Sequence, residues 1–191
     1  MRAATEAFAE MGYRSVTMSH IATRARIGRA TLYLHFSSKA EIADEIALTL
    51  RPHMVAVVMT LPDIEFGLEG LERWIASIVT EQRKFSRIAA VANEALVHNR
   101  DLADIMVGSM QDTARQIAAA LRAQGRWPEA LGEGGLAMLL TGTMQLATTV
   151  FGASPRPEDA TLTADLARLW HVALAHKDDN EPPVGVGVEQ P

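Results

Sequence analysis

Residues 12–40 read GYRSVTMSHIATRARIGRATLYLHFSSKA, and this stretch decides the fold. Arg14, Arg24, Arg26, Arg29 and Lys39 give it five positive charges and no negative one, with His20 and His35 beside them. The chain of 191 residues carries a net −5, so everything outside the window sums to −10. A small basic module on an otherwise acidic chain is the electrostatic footprint of a nucleic-acid binder.

The apolar spacing within the window points the same way. Thr17 suits the N-cap of a short helix whose Ile21 and Ala22 face inward. After a tight turn, Arg29–His35 form a second short helix. Ala22 and Ala25 permit close approach of the two, while Ile21, Ile27, Leu32 and Phe36 can form a miniature core. Arg29, Thr31, Tyr33 and His35 then face outward. Such a helix–turn–helix places its second helix in the major groove while the first crosses the backbone. Ser38-Lys39-Ala40-Glu41 reads as a capping box. It opens a longer helix whose free amides and lysine could meet a phosphate.

Outward from this window the helical period dominates, and the fold class expected is all-α. Upstream, Ala4, Ala7, Phe8 and Met11 share a stripe that Gly12 ends. Downstream, the helix opened at Ser38 runs towards Leu61 through Ile42, Ile46 and Leu50, and Pro52 should kink or split it. Five further helices are expected. Leu68, Leu71, Ile75, Ile78 and Val79 mark the first, and Ile88, Val91, Ala92, Ala95 and Leu96 the second. A third follows Asp101 and closes at Gly125. A fourth, without charges, carries Leu136, Leu139, Leu140, Thr143, Ala147, Val150 and Phe151 on one face. It is apolar on most sides and so must be buried on most sides. The last follows Pro155 and Pro157 and buries Leu162, Leu166, Leu169, Trp170 and Ala173. Residues 178–191 are acidic and rich in Pro and Gly, and read as a disordered tail.

Composition bounds the alternatives. Hydrophobic residues make up 48% of the chain and aromatics 5%, a balance that favours helices over sheet. The absence of cysteine removes disulfides, thiolate zinc sites and thiol redox switches. Met1–Gly12 has no apolar core of a secretory signal, so a cytoplasmic location is the expectation. Residues 134–155 are uncharged and long enough to span a bilayer, but their threonines and glycines fit a buried interface helix better, and no membrane partner is expected.

At this point the stretch is recognisable. Gly12, Thr17, Ile21-Ala22, Ala25, Ile27, Thr31-Leu32-Tyr33, His35-Phe36 and Ser38-Lys39 together resemble the DNA-binding domain of the TetR family of bacterial transcriptional regulators, over about 45 residues. The resemblance implies a helix-turn-helix domain over 1–50 and a helical effector-binding and dimerisation domain over 51–177. It implies a homodimer that binds a palindromic double-stranded DNA operator, as a repressor released by a small, mostly apolar effector. Tyr33 and Lys39 would contact phosphates with Thr17 assisting, and Arg29, Ala30 and Thr31 would approach base edges. The last two helices would pair with a partner subunit through Leu139, Thr143, Leu146, Val150, Leu162, Leu166, Leu169 and Trp170.

Three departures from the family pattern stand out. Arg26 replaces the turn glycine, at a cost of roughly 1 kcal/mol if the site is left-handed, and adds a cation. Gly28 replaces the serine cap, a change worth a few tenths of a kcal/mol. The first helix lacks a turn and a basic lead-in, which points to a start upstream of Met1 or a truncated chain. Arg26, Gly28 and His35 complete the set of candidate DNA-facing residues. The rival reading is a helical small-molecule binding protein with a degenerate helix-turn-helix that no longer binds DNA.

Trp74, Ile78, Phe85, Met106, Met110 and Met138 are candidates to line an effector pocket, since methionine adapts to irregular apolar ligands. The same spacing also suits plain core. Trp127 and Trp170 suit structural anchors, and Tyr13 should pack at the first helix junction. Catalytic chemistry finds little support. Glu94 and His98 share a helix face but lack the paired Glu-x-x-His motifs of carboxylate-bridged metal sites. His171 and His176, five apart, point in different directions. No enzyme activity, metal or cofactor is expected.

Overall fold

A computed structural model describes residues 1–128 and 130–175, the side chains of Arg87, Ala90, Glu94 and His98 excepted. The Glu94–His98 pair, His176 and the acidic stretch 178–191 therefore lie outside the described residues. Among those described there are eight α-helices and no strand: α1 Arg2–Met11, α2 Met18–Ala25, α3 Arg29–His35, α4 Lys39–Val58, α5 Leu68–His98, α6 Arg100–Ala123, α7 Glu133–Thr149 and α8 Asp159–Leu174. A 3-10 turn, Leu61–Asp63, links α4 to α5.

The apolar residues segregate into two cores. In the first, Ala7 and Phe8 of α1, Ile21 and Ala22 of α2, Leu32 of α3, and Ile42, Ile46 and Leu50 of α4 are buried together. Val91, Ala92 and Ala95 of α5 and Leu102 of α6 complete it. The second core joins Leu71, Trp74, Ile75 and Ile78 of α5 to Ile117 and Leu121 of α6, Leu136 and Leu140 of α7, and Ala167 and Trp170 of α8. Its centre is an edge-to-face pair, with the Trp74 and Trp170 rings 4.9 Å apart. The buried Trp170 indole N–H donates to the Thr143 hydroxyl at 2.8 Å, which meets its need for a partner away from water.

α4 takes part in both cores: Leu50 is buried in the first and Val58 in the second. Pro52, expected to kink or split this helix, does not end it. It sits on the exposed side, where the carbonyl it leaves without a donor can be hydrated.

The two helices expected over 68–79 and 88–96 are one, the 31-residue α5. The segment between them, TEQRKFSR, contains neither glycine nor proline and is rich in good helix formers. Nor does the buried stripe lose phase there, because Gln82 continues the spacing of Leu71, Ile75 and Ile78. Residues 134–149 of the uncharged segment lie in the 17-residue α7, which opens on Glu133, and no described helix is long and apolar enough to cross a membrane. Trp127 is buried beneath the Arg122 guanidinium, 4.7 Å from its ring centroid.

Candidate nucleic-acid interface

Local sequence builds the helix pair. The Thr17 hydroxyl caps α2 by accepting the His20 N–H at 3.2 Å, and His20 Nδ1 accepts the Thr17 N–H in return at 3.4 Å. This is a capping box with histidine in the role usually taken by glutamate. Arg24, near the end of α2, bridges to Glu10 at 2.7 Å and Glu6 at 3.7 Å, tying α2 to α1. Arg26 closes α2 in the left-handed conformation, with φ 56° and ψ 40°. The Ile27 N–H returns to the Ala22 carbonyl at 3.1 Å, completing the turn. Ile27, expected in the miniature core, is partly exposed, since α2 has ended and its period no longer applies there.

Gly28 then caps α3 without a side-chain bond. Leu32 is the buried anchor of this short helix, and Phe36 packs half-buried behind it. Arg29, Ala30, Thr31, Tyr33, Leu34 and His35 are all exposed, so α3 presents most of its surface outward. Neither Arg26 nor Arg29 has an ion-pair partner among the described residues, whereas Arg24 does.

Lys39 behaves differently from the phosphate contact expected of it. Its ammonium donates to the carbonyls of Tyr13, Arg14 and Val16 at 2.9, 3.1 and 3.0 Å. It also lies 4.7 Å from the Tyr13 ring centroid. All three N–H donors are thus committed inside the protomer, and Lys39 ties the start of α4 to the α1–α2 connection. Beside it Ser38 caps α4, and the Glu41 carboxylate accepts the Ser37 N–H at 2.6 Å and the Ser37 hydroxyl at 2.9 Å. The reciprocal bond of the capping box therefore reaches one residue further back than expected. These bonds, the backbone one foremost, hold Glu41 below the ordinary carboxylate range.

A second feature lies behind this domain. Helices α4, α5, α6 and α7 line a largely apolar cavity of about 240 Å³ that is open to solvent on one side. Met106 and Met110, two of the residues named as pocket candidates, line it. Four other candidates lie elsewhere. Trp74 and Ile78 are buried in the second core, because their turn of α5 faces α8 and α6. Phe85 stacks on His53, ring centroids 4.9 Å apart, in a smaller groove at the first core. Met138 is 78% exposed on the outer side of α7. Sequence reasoning passed over Met54, Gln82, Asn93 and Met144, which do line the cavity. Gln82 carried a signal, since it is a polar residue on the buried stripe of α5.

The residues expected at a subunit interface divide into three groups. Leu146, Val150 and Leu169 are exposed. Leu139, Leu162 and Leu166 are half-buried against the second core. Thr143 and Trp170 are buried and bonded to each other inside the protomer, so neither can meet a partner subunit. Met138 and Val172 belong to the exposed apolar surface of α7 and α8 instead.

A basic helix-turn-helix in front of a separate all-helical core defines the class of one-chain DNA-binding regulators. The family model for bacterial regulatory proteins, tetR family, matches residues 1–46. TtgW, an HTH-type transcriptional regulator of Pseudomonas putida, is 31% identical over 110 residues, covering 51% of this chain and 77% of TtgW. YhgD of Bacillus subtilis, also an HTH-type transcriptional regulator, is 41% identical over 54 residues, 28% of each chain. SrpR, again of Pseudomonas putida, is 31% identical over 110 residues, and the match spans only 48% of its length. Among solved structures, Salmonella enterica GusR superposes with a TM-score of 0.70 at 19% identity, covering 91% of this chain and 92% of that one. PfmR, a TetR family regulator from Thermus thermophilus, superposes at 0.62 with 20% identity, covering 93% and 99%. The chain belongs to the TetR family of bacterial transcriptional regulators.

Proposed function

We propose that this chain is a homodimeric repressor that binds a palindromic DNA operator through α3 and is released by a small, mostly apolar effector held between α4, α5, α6 and α7. The observation that carries this reading is the double role of α4. Leu50 is buried in the core that supports α3 and also lines the cavity, so a ligand that displaces this wall moves the helix on which the DNA-binding domain is seated.

On DNA, Arg29, Ala30 and Thr31 at the start of α3 approach base edges. Tyr33 and Arg26 contact phosphates, Thr17 flanks them, and Gly28 lets the backbone come close. Dimerisation uses the exposed apolar side of α7 and α8, with Met138, Leu146, Val150, Leu169 and Val172 on it. Two subunits related by a two-fold axis then present two copies of α3 to successive major grooves.

The test is fluorescence anisotropy with a labelled duplex from the region upstream of the protein's own gene. Arg26 of both subunits neutralises about two phosphates, so the logarithm of affinity should fall with that of salt at a slope of about −2. An unrelated duplex should bind far more weakly. Equal affinity for both duplexes, or no binding at low salt, would overturn the proposal, and the latter result would leave a helical small-molecule binding protein.

A further inference from the structure

We infer that the cavity selects an uncharged ligand that carries a hydrogen-bond donor, and that the carbonyl oxygen of Gln82 is the group that reads it. The inference rests on the proposed effector role of the cavity and adds the chemistry of the ligand.

Gln82 is 4% exposed and lines the cavity from α5. Its Nε2 donates to the Met144 carbonyl of α7, at a long 3.4 Å. Its Oε1 is buried without a hydrogen-bond partner among the described residues. The amide orientation follows from that contact, because the opposite flip would set Oε1 against the Met144 carbonyl, acceptor to acceptor. The group turned loose is therefore an acceptor. A buried polar atom left unpaired is costly, and native structures keep few of them. A ligand hydroxyl or amide N–H satisfies Oε1, whereas an ether or ketone oxygen repeats the mismatch.

The rest of the lining sets the other half of the specificity. Among the described residues, no side chain that lines the cavity is charged. A carboxylate or ammonium buried at the Gln82 wall, away from the open side, would lose its hydration with no opposite charge to replace it. The remaining walls are mostly apolar, with Met54, Met106, Met110 and Met144 among them, and these unbranched side chains adapt to different apolar shapes. The volume lies below the roughly 300–1,000 Å³ typical of drug-sized sites, so the ligand is small.

Three probes of one chain length separate the contributions: 1-octanol (a donor), its methyl ether (an acceptor only) and octanoate (a charge). Isothermal titration calorimetry on the full chain should give about tenfold tighter binding of the alcohol than of the ether, the worth of one hydrogen bond, and no detectable binding of octanoate. In Gln82→Leu the alcohol should lose that advantage while the ether binds at least as well as before. Without ligand, Gln82→Leu should melt no lower than the wild type, since a structural glutamine would be missed and an unsatisfied one would not. Equal binding of alcohol and ether to the wild type, tightest binding of octanoate, or an alcohol preference that survives Gln82→Leu would overturn the inference while leaving the effector site standing. Failure of all three probes to bind would overturn both.

Discussion

The Lys39 ammonium lies 4.7 Å from the Tyr13 ring centroid and donates to the Tyr13 carbonyl at 2.9 Å, so one side chain joins the start of α4 to the segment that follows α1. With the Arg14 and Val16 carbonyls also bonded to it, this lysine ties together the architecture of the helix-turn-helix. Lys39→Ala should therefore cost about 2 kcal/mol of stability, the scale of losing charge-assisted bonds to half-buried carbonyls. Urea denaturation measures that cost. The salt slope of DNA binding should stay unchanged in this variant and become shallower in Arg26→Ala, because only the latter removes a cation from phosphate.

At Arg26 the left-handed backbone costs roughly 1–2 kcal/mol for a residue with a Cβ. Arg26→Gly should raise stability by about 1 kcal/mol in the same denaturation experiment. Binding to any duplex should weaken together with this gain, since a cation beside α3 is lost.

Gly70 gives a sharper steric prediction. A Cβ there would overlap the Glu65 carbonyl oxygen, a backbone atom that cannot rotate away. Gly70→Ala should destabilise by about 3 kcal/mol or more, the upper range of overpacking penalties. Gly142→Ala, on the exposed side of α7 with open space around it, is the control and should cost nothing in the monomer.

Neighbouring residues on α8 should behave oppositely. Leu169 is 64% exposed and Trp170 fully buried. Leu169→Glu should leave the monomer folded, shift sedimentation from dimer to monomer and weaken operator binding. Trp170→Ala should lose about 3–5 kcal/mol and unfold the second core.

Acid should loosen the fold at two capped carboxylates. Glu41 is held below the ordinary range by the Ser37 backbone N–H and then its hydroxyl. Asp159 is lowered first by the Arg156 backbone N–H, with its ion partner Arg83 adding to the effect. A carboxylate depressed in the folded state contributes stability that is complete above its ordinary value, near pH 4, and is lost as pH falls toward the depressed one. Urea midpoints measured between about pH 6 and 3 should fall steeply at the acid end, and less steeply in Glu41→Gln.

The helix-turn-helix was legible because its determinants are local. Thr17, Ser38, Leu32 and the turn at Arg26 act within one or two helical turns of their own positions. The exposed apolar face of α7 and α8 was not, since α7 is apolar on nearly all sides and offers no period that separates Met138 from Leu140. Leu169 and Trp170 are adjacent in sequence and face opposite ways. The cavity is a tertiary object with walls from four helices, so a count of methionines found Met106 and Met110 but could not place Met138. Lys39 has the same residue type and spacing whether it meets a phosphate or three carbonyls. Only the path of the chain between Tyr13 and Val16 distinguishes the two.

The passage of α5 through both cores bears on how such regulators can be recombined. Val91, Ala92 and Ala95 form a wall of the core that supports α3, although they lie far along the chain from the DNA-binding segment. A fragment ending at residue 50 would leave that wall open to water and expose Ile46 and Leu50. Fusing residues 1–50 to a foreign sensor would succeed only if the new helix brought small apolar residues to the same three positions. The practical seam for a chimera is thus a surface shared by two distant stretches of chain, not a point along it.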